Sequence, residues 1–192
     1  MKKIIFLSLI GLLSASFHAV AQEGGKPLSV KFLVDAGIEY GGDELLNVIF
    51  TTGDDQSVKA GQGGFLAVGA DFQFANIDFL MLRTSLGIKY NTTAAENANI
   101  YLTRLPFNLI PYIKLKNDIR IGIGITKHLN VGLKGDGFFP DVDFTSTIGP
   151  RFELGYKWAA ITYTSINYKF GNNVSYAANS LGASISFTFP NK

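Results

Sequence analysis

The chain has 192 residues, with 17 Lys+Arg against 15 Asp+Glu, 47% hydrophobic and 13% aromatic residues, 21 Gly and no Cys. Without cysteine there is no disulfide framework, thiolate metal site or lipid-anchor cysteine. Lys2 and Lys3 lie at the extreme N-terminus, and the residues after position 21 balance 15 basic against 15 acidic, a charge pattern that argues neither for nucleic acid nor for a polybasic membrane patch.

Met1-Lys2-Lys3, the apolar run Ile4 to Leu13 and the small-x-small site Ala19-Val20-Ala21 predict a cleaved signal peptide over residues 1–21. The run is too short to span a bilayer as a helix. Residues 22–192 are then one exported domain. The chain's mean hydropathy is positive, yet after residue 21 no apolar stretch approaches 18 residues. A membrane protein lacking such runs carries its apolar residues in alternation, which belongs to strands.

That alternation starts at Val30. Val30, Phe32, Val34, Ala36, Ile38 and Tyr40 share one face, and Lys31, Leu33, Asp35, Gly37 and Glu39 the other. It recurs over Leu66 to Phe74 and over Leu80 to Tyr90. A fourth segment, about Asn99 to Leu115, contains Pro106 and Pro111, which lack an N–H and predict a bulge or irregular pairing. Strands follow from Ile119, from Ile148 to Tyr156, and from Ala159 to Phe170, where the parity slips between Tyr163 and Ile166. The eighth runs from Leu181 to Phe189. Leu45 to Thr52 is assigned to the rising limb of a long first loop.

Short turns at Ala75-Asn76, Asn117-Asp118 and Lys157-Trp158 alternate with longer links at Gly41–Gly64, Asn91–Ala98, Gly132–Asp141 and Gly171–Asn179. This plan predicts an all-β, closed, antiparallel up-and-down transmembrane β-barrel of about eight strands, with its short turns in the periplasm of a Gram-negative cell. Closure is required because lipid offers no partners to backbone N–H and C=O groups.

A barrel of eight strands has an interior just wide enough for side chains to fill. The inward parity predicts a lumen charge network of Asp35, Asp71, Arg83, Arg104, Arg120, Arg151 and Glu153. Glu39 shares that parity, and Lys31, Lys89 and Lys114 are expected near solvated ends. Inward glycines, among them Gly122, Gly155 and Gly182, leave room for the long side chains. Tyr40, Phe74, Tyr90, Tyr156, Trp158 and Phe189 at strand ends predict interfacial aromatic girdles.

No residue is assigned a catalytic, cofactor-binding or metal-binding role. His128, the one histidine after the signal, is expected to be a plain rim or lumen histidine, since a lone His cannot build a multi-His metal site. The carboxylates Asp43, Glu44, Asp54 and Asp55 are expected to be a solvated loop.

The segment Ser180-Leu181-Gly182-Ala183-Ser184-Ile185-Ser186-Phe187, ending at Phe189, resembles the last-strand assembly signal of outer-membrane barrels, with Gly182, Ile185, Phe187 and Phe189 as its key positions. Pro190-Asn191-Lys192 after the aromatic depart from that pattern. The chain as a whole resembles the small eight-stranded class of the OmpA membrane domain, OmpX and OmpW. The resemblance implies residence in the bacterial outer membrane, contact with its lipid and lipopolysaccharide, insertion by the barrel-assembly machinery and a monomeric state. It also implies a non-enzymatic role in envelope integrity or loop-mediated interaction. The alternatives are a narrow conduit for small or hydrophobic solutes of the OmpW or porin-like kind, a lipid A-modifying enzyme using His128, and a soluble exported barrel of the lipocalin kind.

Overall fold

A computed structural model describes residues 28–49, 55–74, 77–93, 100–171 and 174–190. The predicted signal peptide, the Ala75-Asn76 turn, Asp54, Phe50 to Thr52 and the final Asn191-Lys192 lie outside the described residues. The strands are β1 (Leu28–Tyr40), β2 (Glu44–Ile49), β3 (Asp55–Lys59), β4 (Gly63–Phe74), β5 (Leu80–Thr92), β6 (Tyr101–Lys114) and β7 (Ile119–Lys134). They continue with β8 (Val142–Ser146), β9 (Ile148–Tyr156), β10 (Ala159–Thr164), β11 (Asn167–Phe170), β12 (Val174–Ala177) and β13 (Ser180–Phe189).

Eight walls form a closed antiparallel barrel. β1 pairs with β4, β4 with β5, β5 with β6 and β6 with β7. β7 then pairs with β9, β9 with β10, β10 with β13, and β13 with β1. The closing seam runs from Phe32↔Phe189 to Tyr40↔Leu181. β8, β11 and β12 continue three of these walls beyond short breaks at the long-loop end, where β8 pairs with β7 and with β11, and β11 with β12. At the other end Asn117 and Asp118 both have positive φ (62° and 60°), a left-handed conformation that Asn and Asp tolerate better than other side chains.

The expectation for Leu45 holds in its topology. β2 and β3 form a separate two-stranded hairpin outside the barrel wall. The prolines of β6 coincide with broken ladders. The β5–β6 register goes from Leu86↔Phe107 to Lys89↔Arg104 across Pro106, and the β6–β7 register shifts between Thr103 and Leu105. The extra residue lies on β7 at Asn130, which has a φ of 47°. Below this bulge Ile121, Ile123, Ile125 and Leu129 face outward, whereas beyond it Val131 and Leu133 are buried.

The outer face is apolar around the whole circumference. Phe32, Ile38, Leu66, Val68, Leu86, Ile88, Phe107, Ile123, Phe152, Leu154, Ile161, Leu181 and Phe187 are exposed there. The buried residues divide the interior in two. Its long-loop end holds an apolar cluster of Val58, Ile100, Leu102, Val131, Leu133, Ile166 and Tyr168, against which Leu45 and Leu46 of the hairpin pack. The rest of the lumen is mainly polar and charged, with Leu33, Ala67, Ile110, Tyr112 and Ala160 buried among those groups. This division corrects the parity slip expected between Tyr163 and Ile166. Thr162, Thr164, Ile166 and Tyr168 all point inward, so the parity is continuous. What changes along the strand is the chemistry of the interior, from charged to apolar.

Candidate functional site: the lumen charge network and its two ends

Two ionic clusters fill the middle of the lumen. Alternation aims their side chains inward, and neighbouring walls bring opposite charges within reach. In the first, Arg83 of β5 donates from Nε to Asp71 Oδ1 (2.7 Å) and from Nη2 to Oδ2 (2.8 Å) across the β4–β5 pair. This is the bidentate geometry that makes arginine–carboxylate pairs strong and directional. Glu153 Oε1 lies 3.7 Å from Arg83 Nη1 and 3.4 Å from Arg120 Nη2. Both guanidinium groups also lie over the Tyr112 ring, that of Arg83 at 5.2 Å and that of Arg120 at 6.0 Å from its centre.

The second cluster centres on Glu39. Arg151 Nη1 donates to its Oε1 (2.7 Å), Ser180 Oγ donates to Oε2 (3.0 Å), and Lys89 Nζ donates to the same Oε2. Lys89 also donates to the carbonyl of Gly61 (2.6 Å), in the turn after the loop hairpin. Arg151 further reaches Thr164 Oγ1 at 3.0 Å.

Of the seven residues expected in one network, Asp71, Arg83, Arg120 and Glu153 meet one another. Arg151 joins Glu39 instead. Arg104 is fully buried and donates from Nη2 to the Gln62 carbonyl, with no carboxylate partner among the described residues. Asp35 is buried beside the clusters, and its Oδ1 has no hydrogen-bond partner among the described residues. Lys89 departs from its expected solvated position, being 1% exposed. The first loop folds back over that end and supplies Gly61 as an acceptor, which strand parity could not reveal. Lys31 and Lys114 are half-buried near the short-turn end.

Glycine makes space for this packing. A Cβ on Gly155 would stand 2.5 Å from Arg120 Cζ and 2.8 Å from its Cγ, and one on Gly182 would stand 2.5 Å from Glu39 Cγ. Gly155→Val would push Arg120 off Glu153, off Ser186 Oγ (3.2 Å) and off the Lys157 carbonyl. The expected loss is about 1–3 kcal/mol of unfolding free energy, the usual cost of overpacking, read from a urea titration of the folded barrel.

The six aromatic positions are exposed on the outer face or rim. Tyr40 and Tyr90 stand at the long-loop end, with Tyr90 stacked on Tyr101 at 5.7 Å. Phe74, Tyr156, Trp158 and Phe189 stand at the short-turn end. Of the terminal signal positions, Ile185, Phe187 and Phe189 face outward, while Gly182 lies against Glu39. The loop carboxylates Asp43 and Glu44 are exposed, as a solvated loop requires, and Asp43 makes a specific contact besides. Its Oδ2 accepts from Ala177 N (2.7 Å) and its own N donates to Ala177 O (2.7 Å), which clasps the first loop to the last. In the loop after β7, hydrogen bonds from the Lys134 ammonium and the Gly135 N–H hold the Asp141 carboxyl below its usual range.

His128 is 2% exposed and its Nδ1 is hydrogen-bonded to Tyr168 Oη at the boundary between the charged and apolar halves. Ser146 Oγ meets the His128 backbone N at 3.3 Å.

The class these features define is a small, side-chain-filled, eight-stranded antiparallel barrel with an apolar outside and a charged inside. No protein-family model matches the chain, and neither does any curated protein. Among solved structures it is similar to Ail, the attachment invasion locus protein of Yersinia pestis, in complex with the heparin analogue sucrose octasulfate. That match has a TM-score of 0.46 and 10% identity, and covers 82% of this chain and 97% of that one. It is also similar to the Neisserial surface protein A, with a TM-score of 0.43, 15% identity, and coverage of 86% and 100%.

Proposed function

We propose that this chain is an exported, monomeric, non-enzymatic integral protein of the bacterial outer membrane, acting through its long-loop face by contact at the cell surface. The observation that carries the proposal is the inversion of polarity. An apolar exterior encloses a lumen of paired charges, an arrangement suited to lipid outside and fixed side chains inside. The N-terminal 21 residues serve export, outer-membrane lipid and lipopolysaccharide form the surroundings, and the last strand, through Gly182, Ile185, Phe187 and Phe189, is read by the barrel-assembly machinery.

The Asp43 clasp and the hairpin packed on the apolar cluster give the long-loop end a defined surface, which suits envelope integrity or attachment through contact. The buried His128, with its ring held by Tyr168, is withdrawn from any lipid substrate. The apolar cluster closes the path a solute would take between the two ends.

Two measurements on one preparation test this. The protein is expected in the outer-membrane fraction, migrating on SDS gels at a position that shifts on boiling. A soluble periplasmic band with no shift would return the lipocalin reading. In planar bilayers it is expected to show no stable single-channel steps, whereas reproducible steps would favour the conduit.

A further inference from the structure

We infer that the short-turn mouth of the barrel is a binding site for a phosphate-class oxyanion. A polar chamber of about 620 Å³ opens there, between the ionic clusters and the turns. Lys31 of β1 and Lys114 of β6 line it, with Arg120 of β7 at its floor.

Among the described residues the Lys31 and Lys114 ammonium groups have no carboxylate of their own. Lys31 stands opposite Asp71 in the β1–β4 register, but the Asp71 oxygens bond the bidentate Arg83 and not Lys31. Among the described residues Lys31 makes no ion pair. Lys114 donates to Gln73 Oε1, a neutral amide whose Nε2 is itself committed to the carbonyls of Asp78 (3.0 Å) and Leu80 (2.9 Å). Arg120 must share Glu153 with Arg83, and its Nε is buried with no hydrogen-bond partner among the described residues.

The remaining polar lining includes the hydroxyls of Ser29 and Thr188, which can donate to an oxyanion. The carboxylate of Asp118 lies on the β6–β7 turn, at the rim, and is exposed. The ammoniums of Lys31, Lys114 and Lys157, the guanidiniums of Arg83 and Arg120, and hydroxyls on separate strands surround a space large enough for a tetrahedral anion, with the Asp71 carboxylate in its wall held by Arg83. Such an anion presents oxygens in several directions, so it can meet donors from several walls at once. This differs from the long-loop end, where Lys89 and Arg151 are paired with Glu39, Arg104 lies wholly buried against the Gln62 carbonyl, and an apolar cluster fills the interior beyond them.

Two sources share this chemistry, a free phosphate or pyrophosphate and the headgroup of an anionic phospholipid. Which of them the mouth meets in the cell rests on the outer-membrane reading, but the chemistry of the chamber does not. The test uses the protein purified in a maltoside detergent, which brings no phosphate, with its heat-modifiable band checked for every variant. Pyrophosphate and short-chain phosphatidylglycerol are titrated by calorimetry against the unchanged protein, Lys31→Gln/Lys114→Gln, and Lys134→Gln at the opposite end.

Binding of pyrophosphate, weakened about tenfold or more in the double variant and unchanged in Lys134→Gln, supports a site for the free anion. The same pattern with phosphatidylglycerol alone supports a headgroup site. Absence of binding by either probe overturns the inference, as does binding that the double variant leaves unchanged or that Lys134→Gln weakens equally. Because folding is scored on the gel, a failed membrane barrel and a failed anion site give different results.

Discussion

Replacing Glu39 by alanine lowers the unfolding free energy of the barrel by about 3–5 kcal/mol, the cost expected when one partner of a buried ionic group is removed. The magnitude follows from what remains. Lys89 and Arg151, at 1% and 3% exposure, lose their shared carboxylate and keep only the Gly61 carbonyl and the Thr164 hydroxyl. Ser180, which links the last strand to the same carboxylate, loses its acceptor as well. The measurement is a urea titration in lipid vesicles, followed through Trp158, the only tryptophan.

A companion variant separates charge from packing. With Glu39→Leu, Lys89→Met and Arg151→Met combined, the carboxylate and both of its cationic partners are removed together, and most of the lost stability should return. A loss below about 1 kcal/mol for Glu39→Ala would show instead that water takes over the carboxylate's role, and the lumen would then be wetter than its packing implies.

Ile123→Arg tests the outside of the wall. Ile123 is 59% exposed and lies midway along the outward run of β7, with Ile121 and Ile125 on either side and Phe152 opposite on β9. If this face lies in lipid, arginine there costs about 2–4 kcal/mol, because the charge must be drawn to a depth with no water. Leu115→Arg, at the rim beyond β6, should cost about 0–1 kcal/mol, since near the interface a long basic side chain reaches the headgroups. The pair is measured by the same urea titration in vesicles, and the difference between them is the result. Equal and small costs at both positions would place the face in water and remove the basis for a membrane barrel.

The same two residues, Glu39 and Ile123, show how much of this protein is legible in its sequence. That Glu39 faces in and Ile123 faces out follows from alternation, because a pleated strand sends successive side chains to opposite sides. The number of walls followed from counting such segments, and the assignment of Leu45 to a loop from the need for an even total. The prolines at 106 and 111 announced irregular pairing through their missing N–H. These are local properties, or become so once closure is assumed.

What stayed hidden depends on which walls become neighbours and how far the first loop folds back. Parity puts Asp71, Arg83, Glu153 and Arg151 on one surface, but the stagger between strands decides that Arg83 takes Asp71 while Arg151 crosses to Glu39. Lys89 reads as a solvated end because no property of β5 shows that the turn after β3 reaches it, where its ammonium meets the Gly61 carbonyl. The supposed slip at Ile166 had the same origin. Parity reports which way a side chain points, and only the assembled interior decides whether that direction leads to charge or to an apolar cluster. The sequence by itself therefore determined the class of barrel and the two faces of its strands, since both rest on backbone geometry repeated every two residues. The partners of each buried charge, and the apolar closure of one end of the lumen, were decided by contacts between residues distant in sequence.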